Sequence, residues 1–322
     1  MKVTIGIPNY NGIEYLKKCL DSLKADLEKC PAHVIVVDNG SSDGSAAWVS
    51  EHFPEVELLA LTENTGFCRA VNLGIRTAQT PYVILLNNDT EVIEGFTKAL
   101  LDAIETSDKI FSVSAKMLDM KDETLLDNAG DLYCALGWAY ARGKGKQADL
   151  YQTRVKVFSS CGGAAIYRKN VFEEIGYFDE NHFAYLEDVD IGWRAGIFGY
   201  ENYFEPGAAV LHAGSAASGS RYNLFKVNLA SANSVYIIGK NMPFLQWLIN
   251  LPLLFVGFMV KAFFFTLKGM GPAYVKGCFR GFVRCFKKEG REHKIGFMWK
   301  NLKNYCKIQW DLWVNLFRRL AN

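Results

Sequence analysis

Four short apolar runs in the first 90 residues each end in a polar cluster. Pro8-Asn-Tyr-Asn11 follows Val3 to Ile7, and Asp38-Asn-Gly-Ser-Ser-Asp43 follows His33 to Val37. Thr62-Glu-Asn-Thr-Gly66 follows Val56 to Leu61, and Asn87-Asn-Asp89 follows Tyr82 to Leu86. Asp89 closes the most apolar of these runs. A carboxylate at the mouth of a buried strand suits Mg²⁺ or Mn²⁺, which take one or two protein ligands and complete their shell with diphosphate oxygens. Asp89 and Thr90 would equally serve as the N-cap of a helix at Ile93. Asp38 is placed to accept from a base or ribose and Tyr10 to stack on the base, although an Asp-Asn-Gly-Ser-Ser turn uses its aspartate structurally too. Leu186-Glu-Asp-Val-Asp190 opens a helix, where acids complement the helix dipole. There Glu187 and Asp188 could also place one carboxylate to take a proton from a hydroxyl. His212 ends the apolar run Ala208 to Leu211; it is a core histidine unless folding brings Asp89 beside it.

Other nucleotide chemistries lack their signatures. No Gly-x-Gly-x-x-Gly follows the first run, and no Gly-rich loop ends in Lys-Ser or Lys-Thr, which removes the main support for a dehydrogenase or P-loop enzyme. Residues 6–14 hold no Gly-rich loop with arginine and lysine of the nucleotidyltransferase kind. That reading and a non-catalytic sugar-nucleotide-binding module stand as the alternatives.

The elements that must position these residues read as α/β. Strand-like runs alternate with helical patterns at Glu14 to Leu27, Ser45 to His52, Phe67 to Ala78 and Ile93 to Ile104, which predicts βαβ units in a Rossmann-like sheet. Ligands of such sheets bind beyond the carboxyl ends of the strands, where the four clusters lie. From Phe111 to Gly239 the pattern is irregular, with a strand expected at Ser160 to Tyr167 and a helix at Glu187 to Phe198. We expect a single domain over residues 1–240 and a helical, basic region over 241–322.

Taken in order, the motifs resemble family 2 glycosyltransferases of the GT-A fold, especially the rhamnosyltransferase-like branch. They are Ile7-Pro-Asn-Tyr-Asn-Gly12, Val36-Val-Asp-Asn-Gly-Ser-Ser-Asp-Gly44, Glu63-Asn-Thr-Gly-Phe67 with Asn72, and Leu86-Asn-Asn-Asp-Thr90. Gly162-Gly-Ala-Ala-Ile-Tyr-Arg168, Tyr185-Leu-Glu-Asp-Val-Asp190 with Trp193-Arg194, and Val210-Leu-His212 follow. The resemblance implies a mixed sheet flanked by helices. It assigns Pro8, Tyr10, Asp38, Asn64, Gly66, Asn72 and Asn88 to the nucleotide, and Asp89 with His212 to Mn²⁺ or Mg²⁺. Asp188 would be the base, with Glu187, Trp193 and Arg194 shaping the acceptor side. It further implies an inverting single displacement from a nucleotide diphosphate sugar, dTDP-rhamnose or a UDP-sugar. Where relatives often carry Arg-Asn this chain has Ala232-Asn233, so Arg221 or Lys226 is expected to supply the missing cation.

The chain of 322 residues is 50% hydrophobic and 22% charged, enough to bury a large core. Its eight cysteines are scattered without a Cys-x-x-Cys pair, and the start has no signal-peptide pattern, as in a reduced cytoplasmic protein. From Lys268 onward, 13 Lys and Arg face Glu289, Glu292 and Asp311, a net +10 against −8 for the rest. Phe244 to Phe265 is long enough to cross a bilayer. A single crossing, however, would put the basic tail on the far side from a cytoplasmic donor. Met298, Leu302, Tyr305, Leu312, Leu316 and Leu320 form a helical stripe flanked by Trp299, Trp310 and Trp313. We expect monotopic attachment to the cytoplasmic face of an anionic membrane, and hence a lipid-linked saccharide acceptor in surface or cell-wall polysaccharide synthesis. The aromatic content of the tail disfavours nucleic acid. Packing on the catalytic domain, or a homodimer, is the alternative use of these stripes.

Overall fold

Strands whose residues are apolar at every position must be covered on both faces, and the chain meets that demand with helices on each side of one sheet. In the computed structural model, which describes residues 1–214 and 222–320, the first half is β1 (Val3–Asn9), α1 (Ile13–Lys29), β2 (His33–Asn39), α2 (Ser45–His52), β3 (Glu57–Leu61), α3 (Phe67–Thr77) and β4 (Tyr82–Leu86). These strands run parallel in the order β4-β1-β2-β3. Ile84 and Leu86 of β4 face α1, α2 and, further on, α4; Val83 and Leu85 face α3.

After β4 come β5 (Thr90–Val92), α4 (Phe96–Ile104), β6 (Ile110–Asp119), β7 (Asp122–Asn128), β8 (Asp131–Cys134), β9 (Trp138–Ala141), β10 (Val155–Val157), β11 (Ala164–Arg168), α5 (Val171–Ile175), α6 (Glu187–Phe198) and β12 (Glu201–His212). The described residues of the stretch from Phe111 on, which reads as irregular, thus carry regular elements. The sheet continues as β10-β12-β6-β11-β4, with β11 antiparallel to β4 and β6. The mixed sheet flanked by helices is therefore as expected. Two boundaries differ. The helix expected from Ile93 starts at Phe96, capped by Gly95, because residues 90–92 are pulled into β5. The strand expected from Ser160 starts at Ala164, since Gly163 turns its carbonyl to the Asn87 amide at 2.8 Å.

The C-terminal region is α7 (Leu224–Asn241), α8 (Phe244–Leu267), α9 (Gly271–Phe286), α10 (Lys288–Glu292) and α11 (Leu302–Leu320). These helices share a core with the sheet domain: Tyr133, Val189 and Trp193 pack with Ile237, Leu254, Tyr305 and Leu312. The Leu312 carbonyl accepts from the Ala135 amide at 3.1 Å.

Candidate active site

β5 is only three residues long, yet it assembles the site. It pairs antiparallel with the end of β12, Thr90 opposite His212 and Val92 opposite Val210, and the Ala213 amide donates to the Asp89 carbonyl at 3.0 Å. Asp89 is thus no N-cap. Its Oδ1 lies 3.3 Å from His212 Nε2, while His212 Nδ1 lies 2.8 Å from Asp127 Oδ2. Lys144 pairs with the same Asp127 carboxylate.

Burial works against a charged His212, but the two carboxylates outweigh it and push the imidazole up to about 9. Burial also disfavours the Asp127 anion, yet His212 and Lys144 bring it down to about 2. A carboxylate that fixes Nδ1–H leaves Nε2 aimed at a second carboxylate, the arrangement in which histidine serves metals. The donor set of one imidazole nitrogen and one carboxylate oxygen therefore fits a divalent cation that would displace the proton.

A second acidic group lies along the same segment. After Asp127, Asn128 donates to Asp131 at 2.9 Å, and ligand-type atoms of Asp131, Cys161 and Asp188 lie within 4.8 Å of one another. Burial, then the charge of Asp188, raises Asp131 well above the usual carboxylate range. Asp188 is raised by burial too, against hydrogen bonds from the Val189 amide at 2.7 Å and from Asp131. The two carboxyls are therefore coupled, their contact favouring the charged form of Asp188 and the neutral form of Asp131. Burial pushes the Cys161 thiol well up, so in the metal-free site it is a neutral neighbour of the two acids. Glu187 is buried with Oε2 unpartnered, and burial followed by Asp188 lifts its carboxyl to about 8. At neutral pH Glu187 is mostly uncharged, leaving Asp188 the available anion.

The turn into α6 is strained to present these acids. Phe183, Tyr185 and Leu186 hold φ of 61°, 70° and 69°, conformations that cost stability unless the surroundings impose them. Asn233 imposes them by donating to the carbonyls of His182, Ala184 and Tyr185 at 2.8–3.0 Å, and it accepts from Arg284 of α9 at 3.0 Å. Of the cations expected near Asn233, Arg221 lies outside the described residues; Arg284 is a cation that no sequence motif marks.

At the carboxyl ends of β1 and β2, Asn88 donates to Asn9 at 2.7 Å, and Asn9 donates to Asp38 at 2.9 Å. The Ser41 amide fills the other Asp38 oxygen at 3.0 Å. Asn64 accepts from the Gly66 amide at 2.9 Å and from Asn39 at 3.2 Å. Gly66 has φ +88°, and a Cβ there would fall 2.6 Å from the Phe183 ring, so the turn admits no side chain. Pro8 is half-buried, and Tyr10 stands 45% exposed beyond β1.

Three of the expected site residues are engaged within the fold. Asn72 is committed at both ends to the Phe178 backbone, donating at 2.8 Å and accepting at 3.0 Å, so it braces a loop rather than reaching a nucleotide. Arg194 is buried on Asp190 at 2.8 Å and on the carbonyls of Ile175, Gly176 and Tyr177. Trp193 is core, packed on Tyr133 and Phe158.

The glycosyl transferase family 2 model matches residues 4–176. The chain is 30% identical over 233 residues to N-acetylglucosaminyl-diphospho-decaprenol L-rhamnosyltransferase of Mycobacterium tuberculosis, spanning 65% of this chain and 75% of that one. It is 24% identical over 201 residues to poly-beta-1,6-N-acetyl-D-glucosamine synthase of Staphylococcus epidermidis, 62% of this chain and 47% of the relative. Among solved structures, S. aureus TarS 1-349 in complex with UDP-GlcNAc superposes with a TM-score of 0.59 at 18% identity, covering 96% of this chain and 90% of that one. GalNAc-T7 with UDP, GalNAc and Mn²⁺ gives 0.60 at 16% identity, covering 74% and 47%.

Proposed function

The chain belongs to glycosyl transferase family 2, and from that premise we propose that it moves one sugar from a nucleoside diphosphate to a hydroxyl of a lipid-linked saccharide with inversion. The observation that carries this reading is the chain of acids from Asp89 through His212 and Asp127 to Asp131 and Asp188. It offers a cation position and a proton acceptor on one connected segment.

In this reading Asp89 and His212 would hold the divalent cation, whose charge would stabilise the departing diphosphate. One carboxylate and one imidazole suit Mn²⁺ better than the strictly oxygen-seeking Mg²⁺. Pro8, Tyr10, Asp38, Asn64, Gly66 and Asn88 form the nucleotide side. Asp188 takes the acceptor hydroxyl proton as the new bond forms opposite the leaving group. No positioned carboxylate nucleophile is required for a single displacement. The mycobacterial relative, named for L-rhamnose transfer to a diphospho-decaprenol saccharide, supports dTDP-rhamnose and a prenyl-linked acceptor; the UDP complexes of the solved relatives keep UDP-sugars as competitors. Residues 1–240 then carry catalysis, and residues 241–322 attach it to the cytoplasmic face of the membrane, where polysaccharide precursors are built.

The test is donor hydrolysis by full-length protein, screened over dTDP- and UDP-sugars with Mn²⁺, Mg²⁺ or chelator. We expect one donor to dominate and chelator to stop its turnover. Hydrolysis indifferent to chelator would leave Asp89 and His212 with no metal to hold.

A further inference from the structure

A cavity of about 1150 Å³ lies between the β8–β9 hairpin and helices α7, α8, α9 and α11. At its inner end are Asp127, Leu132 and Ala213, neighbours in sequence or contact of His212 and Asp131. At its outer end are Val260, Phe264 and Phe265 of α8, the helix whose opposite side is bare hydrocarbon. The volume exceeds the ~300–1,000 Å³ of most small-molecule pockets, so it has room for a saccharide with a charged head.

Eight cations border this cavity; Lys144 and Lys156 pair with Asp127 and Glu201, and Arg142, Lys261, Arg318 and Arg319 are among the other six. Arg142 and Arg318 are close enough to repel one another, as are Lys261 and Arg319. Among the described residues, no carboxylate pairs with Arg142, Lys261 or Arg319. They rest on rings instead: Arg142 on Tyr151 at 4.6 Å, Lys261 on Trp138 at 5.5 Å and Arg319 on Tyr140 at 5.5 Å. Ring faces offer a cation far less than a counter-ion does in a partly desolvated place. Asp119 and Asp127 also line the cavity, Asp127 paired with Lys144, so the excess positive charge rests on Arg142, Lys261 and Arg319; a polyanionic ligand offsets its cost, and guanidinium groups match phosphate oxygens in pairs.

We propose that this cavity is the acceptor site, in which Arg142, Lys261, Arg318 and Arg319 hold the diphosphate of a prenyl-diphosphate-linked saccharide. The sugar then points toward the Asp131–Asp188 pair, and the hydrocarbon leaves past Phe264 onto the bare face of α8. The proposal rests on the transferase reading above, but makes its own claim about where the acceptor's charge is read.

Titration of farnesyl diphosphate, farnesol and inorganic diphosphate into full-length protein in neutral detergent, followed by calorimetry, tests it. We expect farnesyl diphosphate to bind at least tenfold tighter than either fragment. Lys261→Gln/Arg319→Gln should weaken it at least tenfold, and Lys287→Gln/Lys288→Gln, an equal charge change outside the cavity, should not. Arg319→Glu alone, at an exposed position, repeats the test should the double variant fold poorly. Equal binding by wild type and variants overturns the proposal, as does equal affinity for farnesol. Short-chain phosphatidylglycerol that competes as strongly as farnesyl diphosphate overturns it too, since the cavity would then read any anionic lipid. Donor hydrolysis by the wild type is measured alongside: its absence with prenyl diphosphate binding intact sinks the transferase chemistry and leaves this site standing.

Discussion

Three acids meet in the site, and their surroundings give each a different job. Burial and Asp188 lift Glu187 to about 8, burial and Asp188 raise Asp131 well above the carboxylate range, and Asp188 is the base of the proposed reaction. Asp188→Asn should reduce transfer by at least ~10²-fold, the span of general-base catalysis, while donor affinity measured by calorimetry stays within about twofold. Equal loss of both would make Asp188 structural. Asp131 lowers the Asp188 pKa through its hydrogen bond, so Asp131→Ala should raise it. Because the reaction needs Asp188 ionised, the acid limb of the kcat/KM profile should move to higher pH by about one unit, the worth of one charged hydrogen bond, and activity should recover in alkali. Asp127 acts through His212: Asp127→Asn should weaken Mn²⁺ binding by ~10–100-fold with the fold unchanged by circular dichroism. Asp89, His212 and Asp188 are legible in the sequence because each stands at the end of an apolar run or the start of a helix. Asp127, Asp131 and Asn9 are not, since nothing local distinguishes them from turn residues. The Asn128-Ala-Gly-Asp131 turn between two acids is the available sign.

At the scale of elements, the parallel half is legible because its strands are continuous apolar runs separated by helical periods. The antiparallel half is obscured by short strands of mixed polarity; β5 has three residues, too few for any pattern, and its pairing with β12 is non-local. That pairing brings Asp89 and His212 together, so local patterns can suggest their meeting but only the folded sheet establishes it. The helix α6 is anchored by a buried network that its sequence does not advertise. Lys240 donates to Asp179 at 2.8 Å and to Asp190 at 2.9 Å, and Asn241 donates to Asp190 at 2.7 Å. Burial opposes the Asp179 anion, but Lys240 outweighs it and holds the carboxyl at about 2. A carboxyl depressed on folding stabilises the protein above its ordinary pKa of 3.8 and loses that contribution as pH falls toward about 2. Lys240→Met leaves two carboxylates buried and short of a cation, and should cost about 3–5 kcal/mol in urea unfolding at pH 7. A loss below about 1 kcal/mol would mean that water reaches the pair.

On the scale of the whole molecule, α8 is built inside out. Its polar residues Gln246, Asn250 and Lys261 lie on the side that meets the protein, where Gln246 donates to the Tyr305 carbonyl at 2.7 Å and Asn250 to Gln309 at 2.8 Å. Gly257 lets the helix close on the Leu136 carbonyl, which a Cβ would approach to 2.1 Å. The outward side is Phe244, Leu245, Leu248, Phe255, Met259 and Phe263, with Phe244 at 75% exposure. A contiguous hydrocarbon surface of this size seeks cover, and in the proposed membrane attachment the net charge of +10 from residue 268 onward would favour anionic lipid as that cover. The stripe read on α11 divides differently: Tyr305 and Leu312 are core, while Leu302, Leu320 and the flanking Trp310 and Trp313 are exposed. The proposed membrane interface would therefore rest chiefly on α8, with α9 contributing the exposed Phe279, Phe282 and Phe286. α8 docks on the protein through its polar side and is at the same time long and apolar enough to cross a membrane. Full-length protein should float with phosphatidylglycerol liposomes at low salt and be partly released by 0.5 M NaCl. Phe255→Glu/Phe263→Glu should abolish flotation without lowering Tm, because both side chains touch little of the protein. A wild-type protein left at the bottom of the gradient at low salt would refute membrane attachment and return the α8 face to a second copy of the chain.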